Sequence, residues 1–241
     1  MTSLPRPVNG APLSIRVRLD EIRQRIGRAA VRSGRSPEQV RLVGASKTAP
    51  AEVLAEVIQL GLEDLGENRV QEAERKLLEL GADGSRIRWH LIGQLQRNKV
   101  KKAVRIFDVV QSVNSLELAQ EISRRAGEDD EVIEVLVEVN VSDEPAKFGI
   151  APDRVEPLLE QIRPLPGLQM TGLMTIGRMP EHAEEARRDF AALRELRDRC
   201  ERSLGLKLPE LSMGMSGDFE VAIEEGATLV RVGTALFGTR S

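Results

Sequence analysis

Eight short apolar segments alternate with amphipathic helical ones along a chain of 241 residues. That alternation predicts an α/β protein of one domain, a (β/α)8 TIM barrel with an extra N-terminal helix. Strands separated by helices need right-handed crossovers and therefore pair in parallel. Eight βα units in a chain of this length match a closed barrel, whose usual size is about 250 residues. No linker-like stretch breaks the alternation, so residues 13–241 form one domain after a polar, proline-bearing lead-in, 1–12, expected to be disordered. A doubly wound open sheet is the alternative architecture.

The elements follow in order. Leu13–Ser33 carries Ile15, Leu19, Ile22, Ile26, Ala29 and Ala30 at helical spacing and is stopped by Gly34. Strand Val40–Ser46 precedes a helix opened by Pro50 and ended by Gly61. Leu62–Gly66 is the second strand and Val70–Leu80 a helix ending at Gly81; Ile87–Ile92 is the third strand, with a basic helical stretch after it. Ile106–Val113 is the fourth, followed by a helix from Ser115 to about Ala126, and Val132–Val141, nearly continuous in apolar residues, is the fifth. Helix Pro152–Ile162, strand Leu168–Ile176, the charged helix Glu181–Leu204, strand Leu208–Met213, helix Phe219–Glu225 and strand Leu229–Val232 complete the pattern.

Composition excludes several functions. About half of the residues are apolar once glycine is counted, an ordinary globular share. The net charge of −3 gives no global attraction to nucleic acid or an anionic membrane. Arg97–Lys102 is basic but has no interleaved aromatic residue, so it reads as a solvated helix face. No apolar run approaches 18 residues, so no membrane span is expected. Cys200 is the single cysteine, which removes internal disulfides and thiolate clusters and suits a reducing, cytoplasmic setting. With only His90 and His182, a histidine metal site is not expected. Tyrosine is absent altogether.

Active sites of such barrels gather where strands end at their C-terminal edge. The first strand ends in Ser46-Lys47-Thr48. A lysine finishing a buried strand is either a rim residue or, with its neutral amine favoured by burial, a Schiff-base former. Asn68, after the second strand, is a helix cap or a polar group of the site; His90, on the third, is a core histidine or a site residue. The loop Gly214-Met215-Ser216-Gly217 follows the seventh strand and opens a helix, and Gly233-Thr234 repeats the small-residue pattern after the eighth. These glycines either serve tight turns or let backbone N–H groups approach an anion. Closure of the barrel brings strands one and eight together, so a lysine meets a phosphate cradle. A phosphate-bearing aldehyde held by lysine is pyridoxal 5′-phosphate (PLP). Arg231, two residues before Gly233, would keep its pyridine nitrogen unprotonated.

At these residues the sequence resembles the pyridoxal phosphate homeostasis proteins, single-domain relatives of the alanine racemase barrel. The matching segments are LVGASKT, LGENRVQE, WHLIGQLQRNK, VNVSDEPAKFGI, GLMTI and LSMGMSGDFEVAIEEGATLVRVGTALFG, from Leu42 to Gly238. Gln94 stands where relatives often carry proline. The resemblance implies a PLP aldimine on Lys47, phosphate contacts from Ser216, Gly233 and Thr234, and Arg231 facing the ring nitrogen. Asn68, Met213 and His90 are implied to lie near the cofactor. It also implies carriage and buffering of PLP within vitamin B6 homeostasis, with apo PLP-dependent enzymes as recipients and no established turnover. Lys147, in a loop after the fifth strand, is the candidate for a secondary PLP contact during transfer. The alternative is a PLP-dependent amino-acid racemase, against which stand the missing tyrosine base and a length too short for a second domain. A Schiff-base aldolase would use Lys47 but leave Arg231 without a role.

Overall fold

In the computed structural model, which describes residues 13–47, 49–142, 148–177 and 182–238, eight parallel strands close into a barrel in the order of the chain. The strands are β1 (Arg41–Ala45), β2 (Asp64–Glu67), β3 (Arg88–Leu91), β4 (Val109–Val113), β5 (Ile133–Glu138), β6 (Leu168–Met174), β7 (Glu210–Ser212) and β8 (Leu229–Val232). Closure is made by β1 against β8, with Val43 opposite Arg231 and Gly44 opposite Val232. The closed barrel, not the open sheet, is the architecture.

The helices are α1 (Ile15–Arg32), α2 (Ala51–Gln59), α3 (Val70–Leu80), α4 (Val100–Ala103), α5 (Leu116–Glu128), α6 (Val155–Ile162), α7 (Arg187–Leu204), α8 (Phe219–Glu224) and α9 (Thr234–Phe237). Among the described residues no helix is long and apolar enough to cross a membrane. The extra helix α1 buries Ile15, Leu19, Ile22, Ile26, Ala29 and Ala30. It packs on the last helices: Arg25 pairs with Glu220 at 2.9 Å and lies 4.5 Å over the Phe219 ring, and Arg32 pairs with Glu224 at 2.8 Å.

Several elements are shorter than the sequence predicts, because turn and cap hydrogen bonds take their end residues. Val40 N–H bonds the Pro37 carbonyl in a 3-10 turn, and Leu62 N–H bonds the Val57 carbonyl at the end of α2. Ile106 and Phe107, expected in the fourth strand, instead donate to the Ala103 carbonyl and extend the turn after α4. Val139 lies just past β5, its N–H donating to the Met174 carbonyl, and forms an isolated bridge with Ile150. The long helix expected from Glu181 begins at Arg187, after a 3-10 turn over Ala183–Ala186. Helix α9 falls on residues taken from the sequence as loop.

Two apolar layers result. The larger lies between strands and helices and includes Leu54, Phe107, Ile122, Phe190, Cys200 and Met213. The smaller is a plug inside the barrel, Val43, Val109, Leu136, Met174 and Leu229. Below the plug, Arg41 reaches Glu210 at 2.7 Å and Arg88 pairs with Glu134, so the barrel floor is charged. At Gly172 β6 and β7 approach closely: a Cβ there would lie 1.9 Å from the Glu210 carbonyl oxygen. That atom belongs to backbone and cannot swing aside. Gly172→Ala should therefore lower unfolding free energy by about 1–3 kcal/mol or more, read as a drop in the urea midpoint at unchanged slope.

Candidate functional site

The site lies at the C-terminal mouth of the barrel, where β1, β7 and β8 end together. The chain turns after Ser46, so Lys47 stands exposed in the turn beyond β1. Of the two positions open to it, the rim and the buried strand end, Lys47 takes the rim, and it owes its place to the fixed residue before it. Ser46 is wholly buried, and its carbonyl accepts from Lys76 Nζ at 2.6 Å. Its hydroxyl donates to Glu67 Oε1 at 2.6 Å, and Lys76 pairs with the same oxygen at 2.5 Å. A buried ion pair that loses one partner leaves an uncompensated charge, so the Lys76–Glu67 pair holds the base of the Lys47 turn firmly.

Opposite it, the two glycine-bearing loops join: Ala235 N–H donates to Ser216 Oγ at 3.2 Å. Gly214 has φ +90, and a Cβ there would lie 2.5 Å from that of Ala222, so only glycine turns the chain tightly enough into α8. The buried Asp218 accepts from Met215 N–H at 2.6 Å and fixes the loop, while burial pushes its carboxyl upward in pKa. A Cβ on Gly233 would come 3.1 Å from the Ala45 carbonyl, which places this loop against the strand end that carries Lys47. The backbone N–H groups of Ser216, Gly217 and Thr234 meet no protein acceptor among the described residues. Unused donors on two adjoining loops suit an anion such as a phosphate.

Arg231 is buried beneath these loops. Its guanidinium donates to Ser212 Oγ at 2.5 Å and to the Thr175 carbonyl at 2.8 Å. Burial pulls its pKa down to about 10, with Glu138 and Asp218 opposing, so it remains a cation at neutral pH. Glu138, buried at the end of β5, accepts from Gln94 and has its pKa raised by burial. Proline at 94 has no side-chain donor to give, so Gln94 supplies Glu138 with a partner peculiar to this residue choice. Asn68 is half-buried at the mouth, its backbone held against Gly93, where an added Cβ would lie 2.4 Å from the Asn68 carbonyl oxygen.

Two further candidates have side chains already engaged by the protein. Met213 follows the inward Ser212, so its side chain joins the layer under the helices and only its backbone faces the mouth. His90 is wholly buried, with Nδ1 2.8 Å from Gln111 Nε2 and Nε2 2.7 Å from Asp64 Oδ1. Both ring nitrogens are thus taken by protein, leaving none for a cofactor. Lys147 lies outside the described residues. Gln111, Ser212, Thr175, Glu138, Glu67 and Lys76 escaped the sequence reading; the polar pair Gln111-Ser112 inside the apolar β4 was the one visible signal.

A mouth with a lysine, an anion cradle and a buried arginine defines a class of barrel, and comparison with known proteins agrees. Residues 17–241 match the model of the alanine racemase N-terminal domain. A pyridoxal phosphate homeostasis protein of Aquifex aeolicus is 47% identical over 223 residues, 92% of this chain and 97% of the relative. One from Pseudomonas aeruginosa is 44% identical, over 91% and 93%. The chain belongs to the pyridoxal phosphate homeostasis protein family. PipY of Synechococcus elongatus, solved with PLP bound, is 38% identical with a TM-score of 0.83, over 93% of this chain and 100% of that one. An alanine racemase of Clostridium difficile shares the fold at 17% identity and a TM-score of 0.73, this chain spanning 56% of it.

Burial pushes His90 below the ordinary histidine range against the pull of Asp64. The unfolded chain therefore takes up this proton first as pH falls below about 6.5, and stability is lost from there downward. The stability advantage of wild type over His90→Gln should shrink between pH 6.5 and 5 by up to about 1.4 kcal/mol per unit. Urea titrations of both proteins at constant ionic strength measure it; the raised carboxyls of Glu138 and Asp218 act oppositely and cancel in the difference.

Proposed function

We propose that the protein binds PLP at the barrel mouth and acts as its carrier and buffer, without turnover. The observation that carries this reading is the meeting of the Lys47 turn with a cradle of unpaired N–H groups directly above a buried arginine. Lys47 provides the amine that holds the cofactor's aldehyde carbon covalently. Ser216, Gly233 and Thr234 take the phosphate, with the Ser216 hydroxyl free to donate because its oxygen only accepts from Ala235. Arg231 has five N–H donors and meets two protein acceptors, which leaves donors for the ring nitrogen. Asn68 lines the mouth. PLP supplies an electron sink when bound; a cationic donor at the ring nitrogen opposes protonation there and weakens that sink.

The absence of tyrosine supports holding over racemisation, since an alanine-type racemase needs a second base on the far face of the substrate. Apo PLP-dependent enzymes are the recipients this carrier role calls for, and the lone, buried Cys200 fits the reducing cytoplasm.

Purified protein mixed with PLP should gain a visible absorbance that borohydride fixes, with the label mapping to the peptide holding Lys47. Lys47→Ala should abolish the trappable band; full trapping by the variant would refute the assignment. With excess PLP and L- or D-alanine, racemisation should not exceed that of free PLP. Turnover around 1 s⁻¹ or more, ordinary for an enzyme, would replace the carrier reading with the racemase one.

A further inference from the structure

A single file of hydrogen bonds crosses the barrel beneath the mouth. Arg231 Nη1 donates to Ser212 Oγ at 2.5 Å, and Ser212 Oγ donates to Gln111 Oε1 at 2.6 Å. Gln111 Nε2 faces His90 Nδ1 at 2.8 Å, and His90 Nε2 faces Asp64 Oδ1 at 2.7 Å. The file runs from β8 and β7 over to β4, then along β3 to β2. Every one of these five side chains is buried, the most exposed being Asp64 at 6%.

The direction of the file is dictated by its ends. A guanidinium can only donate and a carboxylate can only accept. Ser212 must therefore accept from Arg231 and spend its own proton on Gln111. Gln111 then turns its amide nitrogen to His90, so Nδ1 bears no proton and Nε2–H points at Asp64. Every dipole is aligned from cation to anion, the arrangement in which such bonds reinforce each other. Burial holds His90 below its ordinary range, with Asp64 opposing and Arg88 and Arg41 assisting, and so keeps the neutral ring that the file requires.

We propose that Ser212, Gln111, His90 and Asp64 are positioning residues that fix the plane of the Arg231 guanidinium toward the cofactor's ring nitrogen. The Thr175 carbonyl holds the guanidinium at one nitrogen only, and a group held at one point swings about it. The Ser212 hydroxyl is the second point, and it accepts from Arg231 in a set direction only while Gln111 takes its proton. This inference rests on the proposed reading of Arg231 as the ring-nitrogen partner.

The test compares two near-isosteric variants. Gln111→Met leaves Ser212 with no acceptor; Gln111→Glu keeps an acceptor for Ser212 but cannot donate to His90. In full-length apo protein, ¹⁵N-labelled histidine has only two residues to report, His90 and His182. His90 should appear as the neutral Nε2–H tautomer in wild type, as a tautomer mixture in Gln111→Met, and protonated on Nδ1 in Gln111→Glu. With PLP, Gln111→Met should bind about tenfold more weakly, or about 1.4 kcal/mol, and shift the visible absorption maximum. Gln111→Glu should retain affinity and maximum near wild type despite its altered histidine. A merely structural residue would instead lose stability in both variants without moving the maximum. Wild-type PLP affinity and spectrum in Gln111→Met, with its tautomer signal changed, would overturn the positioning role while leaving PLP binding intact. Wild type that fails to bind PLP would overturn the functional reading and this proposal with it.

Discussion

The pairing of β1 with β8 is the constraint on which the rest depends. Until those strands meet, Lys47 belongs to one end of the chain and the glycine loop at Gly233 to the other. Four register pairs, Arg41 with Leu229 through Gly44 with Val232, bring them together. The same closure sets Val43 beside Arg231, so the buried cation sits directly against the apolar plug. An open sheet of identical strands would leave both edges unpaired and the site in two halves.

Closure also explains why the interior is not uniformly apolar. A barrel of eight strands has just enough room for side chains from alternate residues. Here the lower positions carry paired charges, the middle an apolar plug, and the upper ones Arg231, Ser212, Gln111 and Glu138. Arg231, Ser212 and Gln111 each meet a partner on another strand and Glu138 meets Gln94 in the loop after β3, so polarity is distributed around the circumference. Such networks are costly when incomplete and rigid when satisfied. Glu67 Oε2 is one of the few buried side-chain atoms without a partner among the described residues.

The order of elements was legible because each helix and strand announces itself locally, through periodicity, Pro50, Gly61 and Gly81. The cradle was legible for a related reason: Gly214 and Gly233 mark backbone that must approach other backbone. Lys47, Met213 and His90 were harder, since a strand residue's role turns on which side it faces and where its strand stops. One residue of shift put Lys47 in an exposed turn and sent the Met213 side chain outward. The partners of Gln111 and Ser212 were illegible, being 101 positions apart and joined only across the closed barrel. A polar residue in an apolar strand signals that a partner exists, but not where.

The packing of α1 has a consequence for the order of events during synthesis. Its main partners are α8 and α9, with α2 beside it, so a helix made early waits for ones made much later before most of its apolar face is covered. Lys47 likewise emerges early and the cradle late. Contacts of such long sequence separation are slow to form, and nascent chains leave Ile15, Leu19, Ile22 and Ile26 open to water meanwhile. A growing chain thus has the Lys47 amine well before the loops at Gly214 and Gly233, and the mouth is whole only once both loops have been made.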